Sequence, residues 1–231
     1  MERDEAGRIL LASGWLARQP PAVSAAVMRR ARPVPFQAGE HVFHADDAPG
    51  GIYGIAAGAI GILVATGGRA PRLAHILRQG AWFGHGPLMT GGRRALGFRA
   101  MEPSVTLHIP LAALDELSRA SLEGARSLAV LANANMGVAI ATVSDLLIAR
   151  ADRRIAAVLL RATGAAQGVP PTDAEGYRLT QAELADMANA SRQVVNRTLA
   201  GFARQGWIAS GYQRIAIRDA AALAAFATPP D

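Results

Sequence analysis

The chain contains no cysteine and, among its 24 basic residues, no lysine. Without thiols there is no disulfide, no thiolate zinc site, no cysteine-held iron–sulfur cluster and no cysteine nucleophile, so redox chemistry does not fix the compartment. Every permanently cationic side chain is an arginine, which forks onto phosphate and guanine. Also missing are a glycine-rich phosphate loop ahead of a helix, a metal-spaced cluster and a serine elbow, so an enzyme is not expected and no metal site is assigned. The nearest thing to a catalytic group is Asp46-Asp47 beside His44, but acids just before Pro49-Gly50 serve as turn formers. The opening Met1-Glu2-Arg3-Asp4-Glu5 is acidic, and the apolar run from Ile9 to Leu16 is short and broken by Ser13 and Gly14. No export signal is expected, and the expected location is the cytoplasm.

What is present is a chain of 231 residues, 51% of them hydrophobic, enough to bury one large core or two modest ones. A formal charge of +6 suits a polyanion partner without separating nucleic acid from a membrane surface. Ser127 to Ile148 is apolar and about long enough to cross a bilayer at roughly 1.5 Å per residue. Asn133, Asn135 and Asp145 within it, and Arg126 and Arg150 beside it, would be costly in hydrocarbon, so a buried or packed helix is expected and no membrane partner.

Apolar spacing and punctuation divide the chain. Residues 6 to 31 read as one or two short helices interrupted at Pro20-Pro21. From Val34 to Ile109 short runs follow: Val42-Phe43, Ile52 to Ala56, Ile60 to Ala65, Leu73 to Leu77, Leu96 to Ala100 and Val105 to Ile109. Glycines such as Gly50-Gly51, Gly58, Gly67-Gly68 and Gly91-Gly92 lie between them, where a small antiparallel roll or barrel would turn. After Pro110 a helix is expected to about Ser118, then a second from Leu122 to Arg150. In the second, Leu122, Ala125, Ala129, Ala132, Met136, Ala139, Val143 and Leu146 recur at spacings of three and four, a heptad seam that predicts a dimer. A further helix is expected from Arg153 to about Ala162, then a loop from Gly164 to Gly176.

The last segment carries the chemistry. Thr180 followed by Glu183 forms a capping box ahead of an apolar face made by Leu184, Ala185, Met187 and Ala188. Asn189-Ala190 turns the chain and Ser191 caps a second helix that runs to Arg204 and stops at Gly206. On that helix Val195, Thr198, Leu199 and Phe202 fall on one side, and Arg192, Gln193, Asn196 and Arg197 on the other. Arginine matches guanine and the amides match adenine in the major groove, so these four are the candidate base readers, with Ser191, Thr180 and Gln181 beside them. Beyond Gly206, Trp207-Ile208-Ala209 and Arg214 to Arg218 read as a hairpin wing through Ser210 to Gln213, with Arg214 expected along phosphates. Asp219 starts a short terminal helix. A ligand-binding or protein-interaction module whose helix pair packs on a protein is the other reading the residues allow.

These segments resemble the bacterial cyclic-AMP receptor and fumarate–nitrate-reduction (Crp/Fnr) type of transcription regulator over residues 34 to 218, above all at Leu179 to Ala185, Ser191 to Leu199 and Gly206-Trp207-Ile208. The resemblance implies an α+β chain with three parts. Residues 1–120 would form a double-stranded β-helix (jelly-roll) sensor, 121–150 a dimerisation helix and 151–231 a winged helix-turn-helix. It also implies a homodimer on palindromic double-stranded DNA, contact with RNA polymerase and a candidate small-molecule effector. Gln193 stands where relatives often carry glutamate, so their half-site does not transfer.

By the same resemblance the effector pocket would use Gly84, His85, Arg93 and Arg94. His85 replaces the glutamate that accepts the ribose hydroxyl, Ala95 the serine beside the phosphate-gripping arginine, and Ala139 and Ile140 the hydroxyls expected from across a dimer. The cyclic-nucleotide contacts are therefore altered. A histidine near the place of His85 ligates haem in a carbon-monoxide-sensing relative, together with a cysteine that this chain lacks, so haem is not expected and the effector stays unassigned.

Overall fold

A computed structural model describes residues 1–65 and 68–228. The described chain divides into two compact units, Met1–Pro71 with Leu77–Ala139, and Arg72–Ile76 with Ile140–Asp231.

The first unit opens with helices α1 (Arg3–Ala12) and α2 (Pro21–Arg30), separated by a single 3-10 turn at Leu16–Arg18. Pro21 sits in the first turn of α2, where its missing N–H costs nothing. Strands β1 (Arg32–Phe36), β2 (His41–Phe43), β3 (Ile52–Ala57), β4 (Ala59–Val64), β5 (Arg72–Arg78) and β6 (Trp82–Phe83) follow, then helix α3 (Gly86–Thr90) and strands β7 (Gly97–Ala100) and β8 (Ser104–Ile109). They form two four-stranded sheets, ordered β1-β8-β3-β6 and β2-β7-β4-β5, in which β1 and β8, β8 and β3, β3 and β6, β2 and β7, and β7 and β4 pair antiparallel. This is the expected roll. It contains two strands that the apolar spacing did not reveal. β1 reads Arg-Pro-Val-Pro-Phe, and its prolines are tolerated because it is an edge strand bonded to β8 alone. β6 is only two residues long. The expected turn at Gly67-Gly68 lies partly outside the described residues.

Phe43, Tyr53, Phe83 and Phe98 fill the roll with rings 4.5–6.1 Å apart. A second core lies between the roll and its helices, where Trp15 meets Trp82 edge-on at 5.3 Å. Pro110 caps helix α4 (Leu111–Ala120), and α5 (Leu122–Leu146) leaves it at a close crossing. A Cβ on Gly124 would lie 2.2 Å from the Leu117 carbonyl oxygen, so only glycine fits there. Ser127, Leu128 and Leu131 bury one face of α5, and the Ser127 carbonyl accepts from the Trp15 indole at 2.8 Å. α5 ends four residues before the expected Arg150, in a turn closed by Leu147 and Ile148 N–H groups.

In the second unit, helix α6 (Ala151–Thr163) starts two residues before the expected Arg153 and stops at Gly164, which is left-handed at φ 68°. After a 3-10 turn at Ala165–Gln167 come strand β9 (Tyr177–Arg178), helices α7 (Gln181–Met187) and α8 (Arg192–Arg204), strands β10 (Ile208–Gly211) and β11 (Arg214–Ile217), and helix α9 (Ala220–Ala227). The small sheet runs β10-β11-β9, so the wing gains a third strand that the sequence pattern did not mark. Ile155, Val158 and Leu159 of α6 are buried in this unit's core with Val195, Leu199 and Phe202 of α8 and Leu223 of α9.

Candidate nucleic-acid interface

The helix pair is set by its caps. The Thr180 hydroxyl accepts from the Glu183 N–H at 3.2 Å, and the Glu183 carboxylate accepts from the Thr180 N–H at 2.7 Å. Asn189 takes φ 45° in the turn, a conformation asparagine tolerates. Ser191 then accepts from the Val194 N–H at 3.3 Å and opens α8. Arg154 of α6 donates to the Ala188 carbonyl at 2.8 Å and pins the turn from behind.

On α8 the two faces separate as expected. Val195, Thr198, Leu199 and Phe202 are buried, while Arg192, Gln193, Asn196 and Arg197 are exposed. Ser191 and Gln181 are exposed as well, and Thr180 is half-buried. Asn196 donates from Nδ2 to the Gln181 side-chain oxygen at 3.2 Å, which orients its own oxygen as the outward acceptor. Gln181, at the start of α7, therefore positions a group on α8. Arg214, the expected phosphate contact, lies in the wing beside acidic residues. It is half-buried and meets Asp173 at 2.7 Å, Glu175 at 3.1 Å and the Gly176 carbonyl at 3.3 Å. Arg178 meets Glu183 at 3.4 Å.

The expected effector residues differ in exposure and partners. Arg93 is exposed and pairs with Asp46 at 3.0 Å. Arg94 is 5% exposed and donates to the carbonyls of Gly84 at 3.0 Å and Gly51 at 3.2 Å. Its guanidinium carbon stands 3.7 Å above the centre of the Phe43 ring. Burial lowers its pKa, partly offset by Tyr53 and Asp47. A Cβ on Gly84 would come within 2.9 Å of that guanidinium and one on Gly50 within 2.4 Å, so the glycines make room for the arginine itself. His85 is half-buried, and burial lowers its pKa. Its Nδ1 lies 3.2 Å from Nδ2 of Asn135, which also donates to the carbonyls of Trp82 at 3.0 Å and Leu131 at 3.2 Å. Sequence reasoning missed Asn135 as part of this site. The signal available was an amide on an otherwise apolar helix.

Most seam residues of α5 are exposed. Leu122, Met136, Val143 and Leu146 are 42–66% exposed; Ala129 and Ala139 are exposed, and Ala125 and Ala132 half-buried. Ile140 and Leu147, outside the expected seam, are 60% and 78% exposed and widen the stripe. α5 is the one described helix long and apolar enough to cross a membrane.

A β-roll followed by a helix pair, with the second helix presenting an exposed row of arginine and amide groups, defines a winged helix-turn-helix protein with a sensor-type domain. Comparison with known families agrees: the cyclic nucleotide-binding domain matches residues 33–121 and the Crp-like helix-turn-helix domain residues 153–226. The chain belongs to the Crp/Fnr-type transcription regulators. Among solved structures it is similar to FixK2 from Bradyrhizobium japonicum, at 18% identity, TM-score 0.73, over 87% of this chain and 99% of that one. It is similar to a CRP-family regulator from Thermus thermophilus at 22% identity, TM-score 0.66, over 84% and 96%. The c-di-GMP-responsive global regulator CLP from Xanthomonas campestris shares the fold at 16% identity, TM-score 0.65, over 86% and 99%. No curated protein matches the sequence.

Proposed function

We propose that this regulator binds a palindromic operator as a cytoplasmic homodimer, with α8 in the major groove and its effector pocket closed to cyclic AMP. The observation that carries the reading is the contrast on α8, where the polar quartet is exposed and the apolar quartet buried. Arg192 and Arg197 would meet guanine, and Gln193 and Asn196 the adenine or cytosine edges their amides match. Ser191, Thr180 and Gln181, at the N-termini of α7 and α8, would border the phosphates. The exposed stripe of α5 would join two copies, with residues 1–120 as sensor, 121–150 as dimerisation helix, 151–231 as DNA-binding domain, and RNA polymerase as the partner the family implies.

Cyclic AMP does not fit the sensor residues. The fork of Arg94 gives one N–H from each terminal nitrogen to a backbone carbonyl, and Nε has no partner among the described residues. A two-pronged grip on a phosphate would require this fork to turn away from the carbonyls it now serves. His85 offers no carboxylate, and its ring is engaged by Asn135. Any effector of this domain would be of another chemistry.

The reading is tested by measuring affinity for a selected operator and for the same duplex with single base changes. Arg197→Ala should lose roughly 1–3 kcal/mol on the operator and stop discriminating at one base pair. An unchanged preference in that variant would remove Arg197 from base reading.

A further inference from the structure

One flank of α8 carries a feature the base-reading face does not account for. Val194, Arg197, Gly201, Arg204 and Gln205 of α8 line a groove of about 540 Å³ together with Arg150 and Asp152 at the start of α6, and with Trp207 and Phe226. Arg150 gives Nε and Nη2 to the Asp152 carboxylate at 3.2 and 2.7 Å, which fixes the guanidinium and leaves Nη1 available. Arg197 and Arg204 are exposed and form no ion pair with any described residue. Three guanidinium groups against one carboxylate leave the groove cationic. Elsewhere in this unit two arginines of the small sheet are offset by acids, Arg214 by Asp173 and Glu175, and Arg178 by Glu183.

The rest of the lining is apolar and stiff. Phe202, Trp207 and Phe226 cluster with ring centres 5.4–5.6 Å apart, in tilted and edge-on contacts. Cationic prongs beside an apolar wall match the sugar–phosphate chain of a nucleic acid, in which anions alternate with deoxyribose. A helix seated in a major groove about 12 Å wide has a phosphate backbone along each flank. Gln181, beside Asn196, marks one flank of α8. Val194, Gly201 and Gln205, at helical spacings of seven and four, mark the other.

We propose that Arg150 and Arg204 form a backbone clamp on this second flank, gripping the sugar–phosphate chain of one strand beside the bases that α8 reads. The proposal rests on the DNA-reading role of α8 and adds two residues that the helix pattern did not mark. In a backbone clamp they strengthen binding without choosing sequence.

The test measures affinity of the full-length protein for its selected operator and for a scrambled duplex between about 50 and 200 mM salt. Arg150→Ala and Arg204→Ala should each weaken binding several-fold on both duplexes and make the slope of log affinity against log salt shallower by about 1. Arg150→Lys, which keeps the charge, should restore most of the slope. Circular dichroism should show both alanine variants folded, since both side chains are exposed. If both slopes equal wild type while Arg197→Ala still weakens operator binding, the clamp is wrong and the DNA reading stands. A loss confined to the operator would also overturn it, because that is the mark of a base contact. Binding by the wild type that does not respond to salt would overturn clamp and DNA reading together.

Discussion

On the proposed reading, Arg94 and His85 limit what the sensor half can bind. A buried guanidinium that satisfies two carbonyls is a structural crosslink, and its removal strands both acceptors. Arg94→Ala should therefore lower stability by roughly 1–3 kcal/mol in urea titrations with no nucleotide present. Cyclic AMP should change neither that midpoint nor the wild-type one. A variant as stable as wild type, with a wild type stabilised by cyclic AMP, would return Arg94 to the role of phosphate ligand. His85 gives a pH signature. Asn135 Nδ2 donates to two carbonyls and lies 3.2 Å from His85 Nδ1, a contact that favours the neutral ring over the imidazolium. Burial lowers the folded pKa of His85, so below about pH 6.5 the unfolded chain takes up the proton first. Its contribution to stability is present above that pH and is lost as the pH falls toward the folded pKa. Stability measured from pH 7.5 downward, about a unit either side of that value, should fall less steeply in His85→Gln. An identical acid limb in the two proteins would mean that His85 is solvated.

At the scale of elements, α5 has two unlike faces. One packs through Leu128 and Leu131 in its own unit; the other exposes Met136, Ile140, Val143 and Leu146. Four large apolar side chains left in water on one helix favour association with a second copy, at about 25 cal/mol for each Å² covered. Ile140→Glu should give a monomer in sedimentation velocity with unchanged helix content; a dimer that survives would place the interface elsewhere. The element record also shows what the sequence made legible. Capping and turn chemistry are local, so Thr180 with Glu183, Asn189, Ser191 and Asp219 were readable as helix boundaries and hold in the structure. Strands β1, β6 and β9 were not, because two prolines or a length of two residues leave no alternation, and only pairing with β8, β3 and β11 makes them strands. The heptad seam was legible as a stripe, but Ile140 was left out of it because a strict repeat drifts from the true helical period, and Leu147 because it lies past the helix end. The binding of Arg94 by Gly51 and Gly84 and the salt bridges of Arg214 depend on residues distant in sequence, and no local pattern encodes them.

For the whole molecule the charge is a matter of placement more than of total. A formal +6 carried by arginine is spread over both units, and many of these groups are tied to acids. Arg192, Arg197 and Arg204 are exposed on one helix without ion pairs among the described residues, and there an anionic duplex would find them. Two such helices on one dimer should recognise a sequence with its own two-fold symmetry. The most direct measurement is selection from a pool of random duplexes by the purified full-length protein with no nucleotide added, followed by sequencing of the bound fraction. An inverted repeat with half-site centres about 10–10.5 base pairs apart, or a multiple of that spacing, is the predicted result. Enrichment of a single asymmetric motif would contradict the dimer, and no enrichment at all would contradict DNA reading by α8.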